Sequence, residues 1–278
     1  MITKKNLKSL VILNFILLML SCGDGKQDNI EVEEDIKTTN NLDSHKISAQ
    51  NVFNSLPGRL EIISLTEKAR AVYNAKTLND PQNSKKYILE SNTALNLGIY
   101  GADLYVTGVY EQTQESFIFL EAVNVLARNL GVGSIFDEAV VSRMETNKNN
   151  RDSTMNIIIQ SFLKIDNFLT ENGRPGTSSL VVAGCWIESI YIACKTAHET
   201  QSERIVSEIF AQKKSLKYVI DLLQKSEISQ DSKFVLKDLS YLKALLDSKT
   251  DSKYSLSSIK VIDQKISELR TAIVKKNS

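Results

Sequence analysis

Apolar positions recur at three- and four-residue spacing along most of this chain, and strand-like alternation is hardly sustained anywhere. After Leu56-Pro57, the residues Leu60, Ile63, Leu65, Ala69 and Val72 predict a helix that stops near Asn79-Asp80-Pro81. A second helix is expected from about Asn83 to Tyr110, with Gly98 and Gly101 marking a place where it could divide, and a third from Gln112 to Leu130, closed by Gly131-Val132-Gly133. A shorter segment covers Ser134 to Thr146. After the polar break Asn147 to Asn150, a helix opens at Asp152 or Ser153, with Asp152 as its expected N-terminal cap, and runs through Ile157, Ile158, Phe162, Ile165 and Leu169 to a stop before Gly173-Arg174-Pro175-Gly176. Ser178 to Thr196, Ser202 to Lys225, Ser232 to Leu246 and Ser257 to Lys275 complete the set. Leu180-Val181-Val182 alone would fit a short strand, but the length of its segment and the flanking turns favour helix. The pattern predicts an all-α domain over residues 51–278: a multi-helix bundle or irregular helical repeat of about eight or nine antiparallel helices.

The second and sixth of these helices differ from the amphipathic rest. Residues 95–104 can be laid on residues 180–189 at an offset of 85, with small residues, a long apolar face and one acid, Asp103 or Glu188, in the same relative place. Two copies do not make a solenoid, so duplicated halves and chance likeness between two buried helices both stand. Gly98, Gly101 and Gly108 each cost about 1 kcal/mol relative to alanine in a helix, which calls for compensation by close helix packing or by ligand access. Isolated acids in apolar helices must be paired or shifted in pKa. Asp103 and Glu188 therefore read either as buried groups that fix helix register or as facing polar anchors of a pocket, with Tyr100, Trp186 and Tyr191 as its wall.

The N-terminus follows a different rule. Lys4, Lys5 and Lys8 precede an apolar stretch from Leu10 to Leu20, broken only by Asn14, and that stretch ends in Met19-Leu20-Ser21-Cys22. It is too short for the roughly 20 residues of a membrane span, so residues 1–21 are expected to be a signal peptide. Its end resembles a bacterial lipobox, with Met19 a less usual occupant than leucine. The resemblance implies that Cys22 is acylated and becomes the first residue of the mature chain; the competing reading is an ordinary secretory signal with a chance cysteine. Residues 22–50 are polar and acidic and are expected to be a flexible tether.

Composition narrows the chemistry. Loss of residues 1–21 removes three lysines and no acids and takes the formal charge from +1 to −2, which argues against a nucleic-acid partner. Cys185 and Cys194, nine residues apart on one helix, would sit on opposite faces roughly 13 Å from each other, beyond disulfide reach. Cys194 and His198 form an i,i+4 pair, but neither an orienting group nor an oxyanion site accompanies them, so no catalytic residue is assigned. His45 and His198 are the only histidines and no ligand motif for zinc or calcium is present, so neither a metal nor a cofactor is expected. The Asn-rich junction would cap two helix ends through its short side chains, or face a partner or pocket through Arg143 and Arg151.

Residues 97–104 (Leu-Gly-Ile-Tyr-Gly-Ala-Asp-Leu), Leu130-Gly131, the Asn/Arg/Asp-Ser junction and residues 183–191 (Ala-Gly-Cys-Trp-Ile-Glu-Ser-Ile-Tyr) together resemble a group of uncharacterised all-helical lipoproteins of Bacteroidetes-type bacteria, over about residues 50–275. In that group a second small residue would be expected where Cys185 stands, and the group supplies no reaction or ligand. The resemblance and the lipobox imply a lipid-anchored protein of the cell envelope, with the outer membrane as the expected site and the facing side left open. Its expected role is non-enzymatic binding or structure, with membrane lipid held through acylated Cys22 and a small molecule or an envelope protein as partner. Two other readings remain: an envelope hydrolase using Asp103 and Glu188 across an open cleft, and an interaction scaffold with an exposed apolar patch on the Phe117–Leu130 or Ile262–Ile273 helix.

Overall fold

A computed structural model describes Ile63, residues 66–248 and residues 254–275. The signal segment, Cys22, the tether and the start of the first expected helix, apart from Ile63, lie outside the described residues. Nine α-helices occur among those described: α1 Glu90–Val109, α2 Thr113–Asn129, α3 Glu138–Thr146, α4 Arg151–Glu171, α5 Pro175–Thr200, α6 Glu203–Ala211, α7 Lys213–Lys225, α8 Lys233–Ser248 and α9 Lys260–Lys275. The described residues contain no strand, and the fold is all-α.

Two helices without a polar face must be enclosed by the others. In α1 every residue from Ser91 to Val109 is buried, and in α5 the apolar central window is 94% buried. That window is long and apolar enough to cross a membrane by length and composition, but here it forms the middle of a helical core. The amphipathic helices cover it. Leu216, Val219, Ile220 and Leu223 of α7, and Ile262, Ile266, Leu269 and Ile273 of α9, turn inward at the spacing read from the sequence.

Residue contacts fix how the two central helices lie. Glu90 receives hydrogen bonds from Arg174 and Thr177, Gly98 lies against Val181 and Cys185, and Asp103 shares the Asn79 side chain with Glu188. The partner number climbs with the residue number, so α1 and α5 run parallel, and the 85-residue offset seen in the sequence is their packing register. Other pairs are antiparallel as expected: Thr107 with Ser116 and Tyr87 with Asn129 along α2, Glu188 with Arg270 and Lys195 with Asp263 along α9. The parallel central pair departs from an all-antiparallel bundle because α2, α3 and α4 return the chain before α5 begins.

Four local departures have physical causes. The first expected helix gives way after residue 68 to a turn with Arg70 left-handed (φ 61°), and Val72, read as apolar-face, is 76% exposed. Asp80 caps a 3-10 turn at Pro81–Lys86, and α1 then starts at Glu90 instead of near Asn83. Tyr87 drives this delay: its ring is buried and its hydroxyl donates to the Val274 carbonyl at 3.0 Å, which a helical residue in that register would not reach. The expected helix from Ser202 to Lys225 divides at Gln212, where Ser215 bonds both Gln212 oxygens and receives the Trp186 indole N–H. At the Asn-rich junction it is Asn150, not Asp152, whose side chain accepts from Ser153 N and caps α4. Gly131, at φ 76°, ends α2 as expected, and the glycines at 98 and 101 do not divide α1.

Candidate functional site

Asp103 and Glu188 occupy equivalent positions on the parallel core helices, and both are fully buried. A segment spanning residues 71–80 crosses above them as a strap. Asn79 donates to Asp103 Oδ2 through its backbone N–H at 3.1 Å and its side-chain amide at 2.8 Å, and that same amide reaches Glu188 Oε1 at 3.4 Å. From α9, Arg270 meets Glu188 in a two-point pair, Nε to Oε2 at 2.6 Å and Nη2 to Oε1 at 2.9 Å, and Nη2 also donates to the Thr77 carbonyl at 3.3 Å. The cluster thus ties α1, α5, α9 and the strap together.

The expected wall residues divide between two places. Tyr191 flanks the cluster with its ring centroid 4.1 Å from the Arg270 guanidinium carbon, a cation–π contact. Tyr100 packs edge-on to Tyr87 and donates to the Asp80 carbonyl at 2.7 Å, one residue beyond Asn79. Trp186 faces elsewhere: two residues from Glu188 on a helix it points nearly the opposite way, and its indole N–H bonds Ser215 of α7 at 3.0 Å.

Charge in the cluster is unbalanced. Two carboxylates face one guanidinium, and among the described residues Asp103 Oδ1 meets no hydrogen-bond partner. Burial and the neighbouring charge of Glu188 push the Asp103 carboxyl well above the usual carboxylate range, against the opposing pull of Arg270 and Asn79. Burial works against the Arg270 cation, but the charge and hydrogen bonds of Glu188 outweigh it and hold the guanidinium more firmly protonated than usual. The arrangement is therefore a buried carboxyl whose ionisation is disfavoured, beside a closed ion pair. A buried pair of this kind is weak as a stabiliser and strong as a constraint, since breaking it strands a charge.

Other candidate chemistry is dispersed. Cys194 is fully buried and burial pushes its thiol well up, while His198 pairs with Asp263 at 3.4 Å rather than with a nucleophile. Lys195 also holds Asp263, at 2.8 Å. No group of three or more His, Cys, Asp or Glu side chains that could hold a metal ion occurs among the described residues. Arg151 pairs with Glu67 at 2.7 Å beside a recess of about 20 Å³, room for little more than a water molecule. A wider, shallow groove of about 410 Å³ runs between the Pro81–Lys86 turn and α2, floored by Phe117, Ile118, Ala122 and Val125.

Sequence reasoning missed Arg270 and Asn79. Arg270 follows Ile266 by four residues and precedes Ile273 by three, so it sits on the inward stripe of α9, a signal that pairs it with a buried acid. Asn79 read only as a helix stop, and nothing local marks it as the donor that bridges two acids. Comparison with protein-family models, with curated proteins and with solved structures finds no match for this chain.

Proposed function

We propose that this chain is a lipid-anchored cell-envelope protein whose helical domain binds a partner without catalysis, and that the partner seats an apolar segment in the groove along α2. The groove carries this reading: Phe117, Ile118 and Val125 form an apolar strip beside the buried Ala122, with Ile118 54% exposed, on the helix where an interaction scaffold calls for one. An exposed strip of this kind has a desolvation gain available to a partner. The paired-carboxylate hydrolase is disfavoured by the site's own geometry. Inversion or retention by two carboxyl groups requires both to reach a substrate, whereas Asp103 and Glu188 are enclosed and held by Asn79 and Arg270. Anchoring rests on the lipobox-like Met19-Leu20-Ser21-Cys22.

Two measurements test the reading separately. Cells expressing the full chain and fed an alkyne fatty acid are expected to yield a labelled, membrane-associated protein, and Cys22→Ala is expected to abolish both the label and the membrane association. Persistence of the label in the variant would end the lipoprotein reading. A photo-crosslinking residue at position 118 is expected to give a discrete adduct that Val125→Asp reduces at least fivefold, with a probe at the exposed Tyr241 as control. Equal adducts at both positions would remove the groove from the proposal.

A further inference from the structure

The polar cluster has one carboxylate too many for a permanent ionic lock, and the piece of chain that closes it is irregular. Apart from a 3-10 turn at Ala75–Thr77, the strap from residue 71 to residue 80 lacks regular structure. It is held to the core by bonds that converge within four residues: Thr77 to Arg270, Asn79 to Asp103 and Glu188, and Asp80 to Tyr100, with the side chain of Leu78 buried between them. This segment closes over the two acids, and its polar bonds to α1, α5 and α9 end on the cluster or beside it, while the Tyr73 hydroxyl ties its first half to Glu115 of α2.

We propose that the cluster is a proton-dependent latch: with Asp103 protonated the strap is held against α1, α5 and α9, and loss of that proton releases it. Asp103 Oδ2 accepts both Asn79 donors, while Oδ1 meets no hydrogen-bond partner among the described residues, so no donor there supports the ionised form. The groups facing Asp103 are Glu188 and Tyr191 from α5, Arg270 from α9, Tyr73 and Asp80 from the strap, and Tyr87 and Tyr100 around the first half of α1. From α2, Glu115 is taken by the Tyr73 hydroxyl, and α4 presents Phe162 to α1. Arg270 is the one cation in this set, and both of its carboxylate contacts are to Glu188. Among the described residues an ionised Asp103 therefore has no cation of its own in the closed state, and hydration through the opened strap supplies what these residues do not.

The sign follows from linkage. The closed state holds the proton more tightly than a hydrated carboxyl does, so closure is fully favoured below about pH 4, the ordinary carboxylate value. As pH rises from there to the raised value of the closed state, opening becomes up to about tenfold more favourable per unit, and it levels off above. Opening bares Asp103, Glu188 and Arg270 between α1, α5 and α9, so the latch also gates access to the polar recess that the sequence suggested.

Amide hydrogen exchange on the isotope-labelled full chain, with intrinsic rates divided out, tests this inference independently of the acylation and crosslinking experiments. The Asn79 amide is expected to be less protected than that of Val182 in α5, and its protection factor is expected to fall with pH above about 4 and to level off where the carbon-13 signal of the Asp103 carboxyl titrates. Asp103→Asn, which mimics the neutral acid, is expected to flatten the profile. Glu188→Gln, which removes the charge opposing ionisation, should make the fall smaller and level it off at lower pH. Protection at Asn79 that is flat with pH, or that equals protection at Val182, overturns the latch. So does a profile that keeps its slope in Asp103→Asn. If that variant does not fold, the match or mismatch between the wild-type exchange profile and the carboxyl titration decides.

Discussion

Arg270→Met is expected to lower the stability of the domain by about 3–5 kcal/mol at neutral pH, the penalty for leaving a buried carboxylate without its partner. Methionine keeps much of the apolar stem, so little of the loss comes from a cavity. What disappears is the two-point hold on Glu188, the bond to the Thr77 carbonyl and the cation over the Tyr191 ring. Replacing both partners, Arg270→Met with Glu188→Leu, removes the stranded charge and is expected to recover most of the loss, because a buried ion pair often does no better than apolar residues of similar size. Denaturant unfolding of the two single variants and the double supplies a coupling energy directly. Additive single losses, with no recovery in the double variant, would show that the pair is not the constraint the geometry implies. Recovery of stability with a loosened strap would separate the hold on Thr77 and Asn79 from the stability of the helices.

How much of this was legible in the sequence depends on whether the determining contact is local. The all-α class, the inward faces of α7 and α9 and the stop at Gly131 follow from spacing and caps, which act over three or four residues. The candidate site was half legible for the same reason. An acid alone in an apolar helix announces that it needs a partner, so Asp103 and Glu188 stood out, and the offset of 85 that set them side by side in the sequence proved to be the register in which α1 and α5 pack. Their partners lay far off along the chain, 82 residues for Arg270 from Glu188 and 24 for Asn79 from Asp103. No local pattern carries that information. Trp186 shows the complementary error: nearness in sequence to Glu188 suggested a shared pocket, but two residues along a helix turn a side chain to another face, here toward Ser215. The delayed start of α1 and the break at Gln212 likewise coincide with tertiary bonds, from Tyr87 to Val274 and from Trp186 to Ser215, that no local pattern shows.

The parallel register also makes a demand on the glycines, and a series of alanine substitutions at the α1–α5 contact and on the face of α1 toward α4 separates space from helix propensity. Alanine is favoured over glycine in a helix by about 1 kcal/mol, so any glycine with room for a methyl group should gain on substitution. Gly108 has that room, with the nearest atoms 3.9 Å from where the methyl carbon would stand, and Gly108→Ala is expected to stabilise by about 0.5–1 kcal/mol. Gly101 faces the ring of Phe162, a side chain that can swing at some cost, and its substitution should be moderately destabilising. At Gly98 a methyl would overlap the Val181 carbonyl oxygen and lie 2.6 Å from the Cys185 nitrogen, and at Gly184 it would overlap the carbonyl of Leu95. These are backbone atoms of the partner helix and cannot rotate away, so the helices must separate along their whole contact. Overpacking usually costs about 1–3 kcal/mol and occasionally more. Gly98→Ala and Gly184→Ala should each lie at or beyond the upper end, about 3 kcal/mol or more, even after the propensity gain is counted. Both act on the same helix separation, so the double variant should cost less than the sum of the singles. Midpoints of chemical unfolding for the four single variants and the double give the order directly. A Gly98→Ala variant within about 1 kcal/mol of wild type would mean that α1 and α5 do not approach this closely, and the cluster of Asp103 and Glu188, which needs that approach, would lose its support.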